Sequence, residues 1–82
     1  MNRIRVLFFA TLRQRAGAAS IEIDVAESMD VRALKERLSR DFPALAPSMG
    51  SVLTAINHEY ALDETTIPTA AEVALFPPVS GG

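Results

Sequence analysis

The sequence predicts an α+β fold in which one main helix packs across one face of a small mixed sheet. Two observations carry the prediction. Short segments of alternating apolar and polar residues lie toward both ends of the chain, and a single stretch between them repeats its apolar residues at helical spacing. A chain of 82 residues holds one hydrophobic core and no second. With 49% hydrophobic and 22% charged residues it can bury enough apolar surface to fold. Residues 1–76 make up the expected domain and residues 77–82 an extended C-terminal tail.

Residues 3–10 read as the first strand, with Ile4, Val6 and Phe8 toward the core. Leu7 and Phe9 fall on the other side, where a loop or a partner must cover them. Thr11–Ala16 reads as a short helical turn capped by Thr11 and stopped by Gly17. Ile21, Ile23 and Val25 then alternate with Glu22 and Asp24, a half-buried strand that pairs with the first as an antiparallel hairpin. Asp30 stands at the N-cap of an amphipathic helix over Val31–Asp41, where Leu34, Leu38 and Phe42 share a face and Pro43 ends the run. The crossover that follows is long enough for a parallel connection.

Residues 44–51 contain Pro47 and Gly50 and read as loop. Residues 52–57 form a third strand, with Val52, Thr54 and Ile56 as the buried set. His58 and Glu59 read as a turn, residues 60–62 as a short strand, and residues 63–71 as a polar connector pinned by Leu62 and Ile67. Glu72–Phe76 is the last strand, with Val73 and Leu75 inward and Ala74 and Phe76 facing the opposite way.

Composition removes several function classes. The 8 Lys and Arg against 10 Asp and Glu leave a net charge of −2, and Arg3, Arg5, Arg13 and Arg15 are answered by Glu22, Asp24, Glu27 and Asp30. A mixed solvated face of this kind lacks the basic stripe of a phosphate-backbone binder, so no nucleic-acid partner is expected. The absence of cysteine excludes disulfides, thiolate catalysis and Cys-based metal sites. The N-terminus runs straight into a strand pattern without the regions of a signal peptide, and no stretch has the roughly 20 apolar residues of a bilayer span. A cytoplasmic protein with no membrane partner is expected.

His58 is the sole histidine, and no acidic or imidazole cluster has metal-site spacing, so no metal is expected. Gly17 lacks the glycine run and the Lys-Ser or Lys-Thr pair of a phosphate loop. Ser80 has neither a base nor an orienting acid to make it a nucleophile. No catalytic side chain is expected in this chain, and whether it counts as an enzyme depends on whether a complex or the chain is being named.

The chemistry is concentrated at the end. Pro77 and Pro78 fix two φ angles and remove two N–H donors, so the sheet cannot simply continue through them. Val79, Ser80, Gly81 and Gly82 follow, and six residues from Pro77 can reach about 20 Å when extended. Without side chains on Gly81 and Gly82, a channel too narrow for any other residue can admit the terminus and enclose its carboxylate. A carboxylate is a poor acyl electrophile; activated as an acyl-adenylate, it can be displaced by a thiol or an amine.

These residues carry a resemblance that covers nearly the whole chain. The motifs are Val6-Leu7-Phe8-Phe9-Ala10 with Leu12-Arg13 and Gly17, Leu34 with Leu38 and Phe42-Pro43, Ala55-Ile56-Asn57 with Tyr60, and the run from Glu72 through Phe76 and Pro77-Pro78 to Gly81-Gly82. Together they resemble the small, sulfur-carrier subunits of molybdopterin synthase, a branch of the ubiquitin-like group with a β-grasp roll; the last run is the specific one. The resemblance implies that an E1-like enzyme adenylates Gly82 with ATP and that the adenylate becomes a thiocarboxylate. The tail then enters the active site of the large subunit, where the sulfur passes to cyclic pyranopterin monophosphate.

It further implies no tightly bound cofactor beyond the covalent thiocarboxylate or transient acyl-adenylate. Gly81 with Pro77, Pro78, Val79 and Ser80 gives clearance, and Phe9, Tyr60 and Phe76, with Leu7, dock on the large subunit. An Asp-Gly-Asp turn is usual in the family before the last strand, where this chain has Thr69, Ala70 and Ala71. If that glycine is left-handed, Ala70 costs about 1 kcal/mol or forces another turn. Three alternatives stay open: sulfur carriage for thiazole, cysteine or transfer-RNA thiolation; a ubiquitin-like modifier joined through Gly82 to lysines; and an interaction module with an inert tail.

Overall fold

The computed structural model describes residues 1–78. The described residues form five strands and two α-helices: β1 (Asn2–Phe8), α1 (Thr11–Ala16), β2 (Ser20–Val25), α2 (Val31–Asp41), β3 (Leu53–Ile56), β4 (Glu59–Ala61) and β5 (Glu72–Phe76), with a 3-10 helix at Pro43–Ser48. The strands make one sheet in the order β2-β1-β5-β3-β4.

β1 and β2 form the expected antiparallel hairpin, with Ile4 opposite Ile23 and Val6 opposite Ile21. β5, the last strand, lies in the centre, parallel to β1 and antiparallel to β3. β2 and β3 therefore run in the same direction, as a parallel crossover requires, but β1 and β5 stand between them. The alternation of each central strand sends one side chain set to α2. Ile4, Val6, Phe8, Val73 and Leu75 meet Val31, Leu34 and Leu38 in a core closed by Leu45 and Ile67, all within 2% of full burial. Phe42 packs its ring edge against Phe8 at 6.0 Å and 66°. In β3 the buried set includes Val52, Thr54 and Ile56, and Ala55 is buried as well.

Asp30 caps α2 through its side chain, which accepts a hydrogen bond from the Ala33 N–H at 2.9 Å. Gly17 stops α1 in the left-handed conformation, φ 76. Thr11 does not cap α1. Ala10 holds that position with φ 53 and ψ −128 and no side-chain bond, because Thr11 is already within the first turn. β1 accordingly ends at Phe8, two residues before the expected limit.

Four further expectations change. Part of the 44–51 segment is helical, since Pro43 and Pro47 have the φ that a tight helical turn needs and the turn brings Leu45 and Met49 to the core. The hairpin turn lies at Asn57 and His58, both at positive φ (49 and 74), while Glu59 pairs with Ile56 in β4. β4 ends at Ala61, one residue short of the expected strand. Leu62 is 69% exposed and pins nothing, because it lies past the edge strand; Ile67 does the burying. Backbone bonds from Val31 to Thr65 (3.0 Å) and from Arg32 to Asp63 (2.9 Å) tie the connector to α2 instead.

The turn before β5 keeps its left-handed residue without glycine: Ala70 has φ 58. Its N–H donates to Oδ1 of Asn2 at 2.7 Å, and Nδ2 of Asn2 donates to the Pro68 carbonyl at 2.9 Å. A fully buried amide at the start of β1 thus clamps the strained turn.

Candidate functional site

The helix covers one face of the sheet and leaves the other open. One row of that open face crosses four strands: Leu7 beside Ala74, Ala74 beside Ala55, and Ala55 beside Tyr60. The next row, toward the C-terminal end of β5, sets Phe76 opposite Leu53, with Phe9 stacked on Phe76 at a centroid distance of 4.7 Å and 13° between rings. Two alanines in the middle and aromatic rings around them make the face concave. A groove of about 400 Å³ results, lined by Leu7, Phe9, Ala55, Tyr60, Ala74 and Phe76, with His58 and Glu72 at its polar edge.

The structure brings Leu7, Phe9, Tyr60 and Phe76 onto this one surface. Tyr60 is 81% exposed and is the freest of them; the other three are half-buried, Phe9 and Phe76 against each other. Sequence reasoning placed Ala74 outward but gave no role to it, to Ala55 or to the exposed Leu53 opposite Phe76. Their signal was only that they alternate with buried residues, and it becomes informative once β5 is known to lie between β1 and β3.

The opposite end of the same face is polar. Arg3 reaches Glu22 at 3.3 Å and Asp24 at 3.4 Å, and Arg5 reaches Glu22 at 3.8 Å. These charges satisfy one another, so the face divides into a self-neutralised half and an apolar half. His58 stands at the boundary with Nε2 3.6 Å from Oε1 of Glu72. No group of three His, Cys, Asp or Glu among the described residues could hold a metal ion, and no described helix is long and apolar enough to cross a membrane.

The chain leaves the sheet at the apolar end. β5 stops at Phe76, Pro77 is half-buried and Pro78 is exposed. Val79, Ser80, Gly81 and Gly82, the residues expected to give clearance and carry the acyl group, lie outside the described residues.

A mixed five-stranded sheet with its last strand inserted beside the first and one main helix across a single face defines the class: a ubiquitin-like β-grasp protein. The ThiS family model matches residues 6–82. The chain belongs to the ThiS family and is a sulfur carrier of the molybdopterin synthase subunit type. It is 37% identical over 81 residues to the molybdopterin synthase sulfur carrier subunit of Escherichia coli K12, covering 96% of this chain and 99% of that one. Among solved structures it resembles SAMP1 from Haloferax volcanii, with a TM-score of 0.84 and 28% identity over 99% of this chain and all of the other. A Caldiarchaeum subterraneum ubiquitin shares the fold, with a TM-score of 0.65 and 15% identity over 99% of this chain and 98% of its own.

Proposed function

We propose that Gly82 is the working group of this protein and that the apolar half of the open face delivers it. An E1-like enzyme would transfer AMP from ATP to the Gly82 carboxylate, releasing pyrophosphate. Attack on the acyl carbon by hydrosulfide from a sulfur donor then breaks the C–O bond to phosphate, releases AMP and leaves a thiocarboxylate. Leu7, Phe9, Tyr60 and Phe76 dock on a large subunit, the Pro77-Pro78 segment directs the tail into its active site, and Gly81 lets the terminus pass. There the sulfur is given to cyclic pyranopterin monophosphate. The chain supplies no catalytic side chain; its part is carriage and delivery in the cytoplasm, where ATP is at hand.

One observation carries the reading. The apolar groove and the exit of a chain ending in Pro-Pro-Val-Ser-Gly-Gly share one end of the sheet, so a partner seated on the groove has the tail at hand. A contiguous apolar patch on a small acidic domain is the usual mark of a partner surface. The test is intact mass after incubation with a competent activating enzyme, ATP and a sulfur donor. The mass should rise by the difference between sulfur and oxygen, and an unchanged mass would remove the carrier reading.

The likeness to SAMP1, named in a second solved structure as a small archaeal modifier protein, favours one other reading. In it a lysine of another protein attacks activated Gly82 and forms an isopeptide. Conjugates in place of free thiocarboxylate in the same incubation would select it.

A further inference from the structure

The chain has one lysine, Lys35, and seven arginines. That ratio matters where a C-terminal carboxylate is activated, because an acyl-adenylate is open to any accessible amine. Arginine is no hazard there, since its guanidinium stays protonated and offers no lone pair. Arg5 makes only an exposed ion pair that lysine could also make, while Arg3 and Arg37 each use two guanidinium nitrogens to reach two partners. The cationic surface is thus built from the side chain that resists acylation.

Lys35 itself is withheld. Its side chain is 14% exposed, against the strong preference of lysine for the surface, and Nζ donates to Oδ1 of Asp63 at 2.7 Å. Asp63 is fixed in turn, because its carbonyl accepts the Arg32 N–H at the start of α2. The hydrogen bond from Lys35 is the largest cause holding the Asp63 carboxyl below its ordinary range, with the charges of Lys35 and Arg32 assisting and desolvation opposing. The remaining amine, on Met1, is exposed and lies 3.5 Å from Glu27.

We infer that the Lys35–Asp63 pair keeps the one lysine of the chain from acting as an acyl acceptor for a second copy, so that activated Gly82 does not form an isopeptide through it. The inference rests on the reading of Gly82 as an activated acyl group. The reaction it prevents is aminolysis between two copies. Nζ, having given a proton to solvent, attacks the Gly82 carbonyl carbon of a second chain; the C–N bond forms, the C–O bond to phosphate breaks, and AMP departs with the electron pair. Held on Asp63 at 2.7 Å, with its side chain 14% exposed, Nζ is less free to turn toward an incoming carbonyl than an unpaired surface lysine.

Two measurements on the full chain test this. In the first, an acetic N-hydroxysuccinimide ester acylates the wild type, Arg40→Lys and Asp63→Asn, and peptide mapping follows each amine with Met1 as the internal reference. Position 40 is exposed and lies on the same helix, so Arg40→Lys compares an open and a withheld lysine within one molecule. Position 40 should react several-fold faster than Lys35, and Asp63→Asn should speed Lys35 several-fold; equal rates at the two positions, or no response to Asp63→Asn, would overturn the inference.

In the second, the chains are incubated with the activating enzyme and ATP but no sulfur donor. Isopeptide links from Gly82 should appear at position 40 in Arg40→Lys and not at Lys35 in the wild type. Links at Lys35, or none at position 40 while adenylate accumulates, would overturn the inference. A parallel sample with sulfur donor shows separately whether Gly82 is activated at all. Its failure would sink the reading of Gly82, while the first measurement would still judge Lys35.

Discussion

Ala70 takes a left-handed backbone conformation with a β-carbon that such a conformation disfavours, and Asn2 holds it there from 68 positions away. The two residues make opposite predictions. Ala70→Gly removes the strain while keeping the N–H that Asn2 accepts, and should raise stability by up to about 1 kcal/mol, seen as a higher urea midpoint. Asn2→Ala leaves the Ala70 N–H and the Pro68 carbonyl without their partners and should lower stability by about 2 kcal/mol in the same measurement. The left-handed turn was legible because alanine stands where the family has glycine. The clamp was not, because a single Asn at the second position has no pattern to give it away.

Phe76 belongs to the same scale. It is half-buried, stacked on Phe9, and faces away from the core. Phe76→Ala should weaken binding to the large subunit by about 1–3 kcal/mol if the ring is a hot spot, with less effect on folding. Calorimetry giving unchanged affinity would remove Phe76 from the docking surface.

Among the elements, α2 and the connector behind it are joined by polar contacts as well as by burial. Asp63 links the two through Lys35, and its carboxyl is held below the ordinary value of 3.8. A depressed carboxylate stabilises the fold fully above its unfolded pKa, and that contribution is lost as pH falls through the lower folded value. The stability gap between the wild type and Asp63→Asn should therefore be constant near neutral pH and close in acid below 3.8. A gap that persists there would mean that Asp63 acts through packing.

Elements defined by local pattern were legible: β2, α2 with its Asp30 cap, and β5 follow from periodicity and capping chemistry. Elements decided by distant contacts were not. The 3-10 helix forms where two prolines read as loop, and it is justified only by the core that Leu45 and Met49 enter. Leu62 looked like a pin because it is apolar, but the edge of the sheet gives it nothing to pack against.

At the scale of the molecule, the sheet order decides what the outward residues mean. Leu7, Phe9, Ala74 and Phe76 were readable as facing away from the core, yet only the insertion of β5 between β1 and β3 joins them to Ala55 and Tyr60 in one groove. Arg3, Arg5, Glu22 and Asp24 fall at the other end of the face and pair among themselves, with His58 and Glu72 at the boundary, which leaves the apolar half beside the exit of the tail.

The most direct test of this account is transfer of sulfur from the isolated carrier. Chain bearing a thiocarboxylate at Gly82, mixed with the large subunit and cyclic pyranopterin monophosphate, should yield molybdopterin as the terminus returns to a carboxylate. Retention of the sulfur on Gly82, with a bound and competent large subunit present, would contradict it.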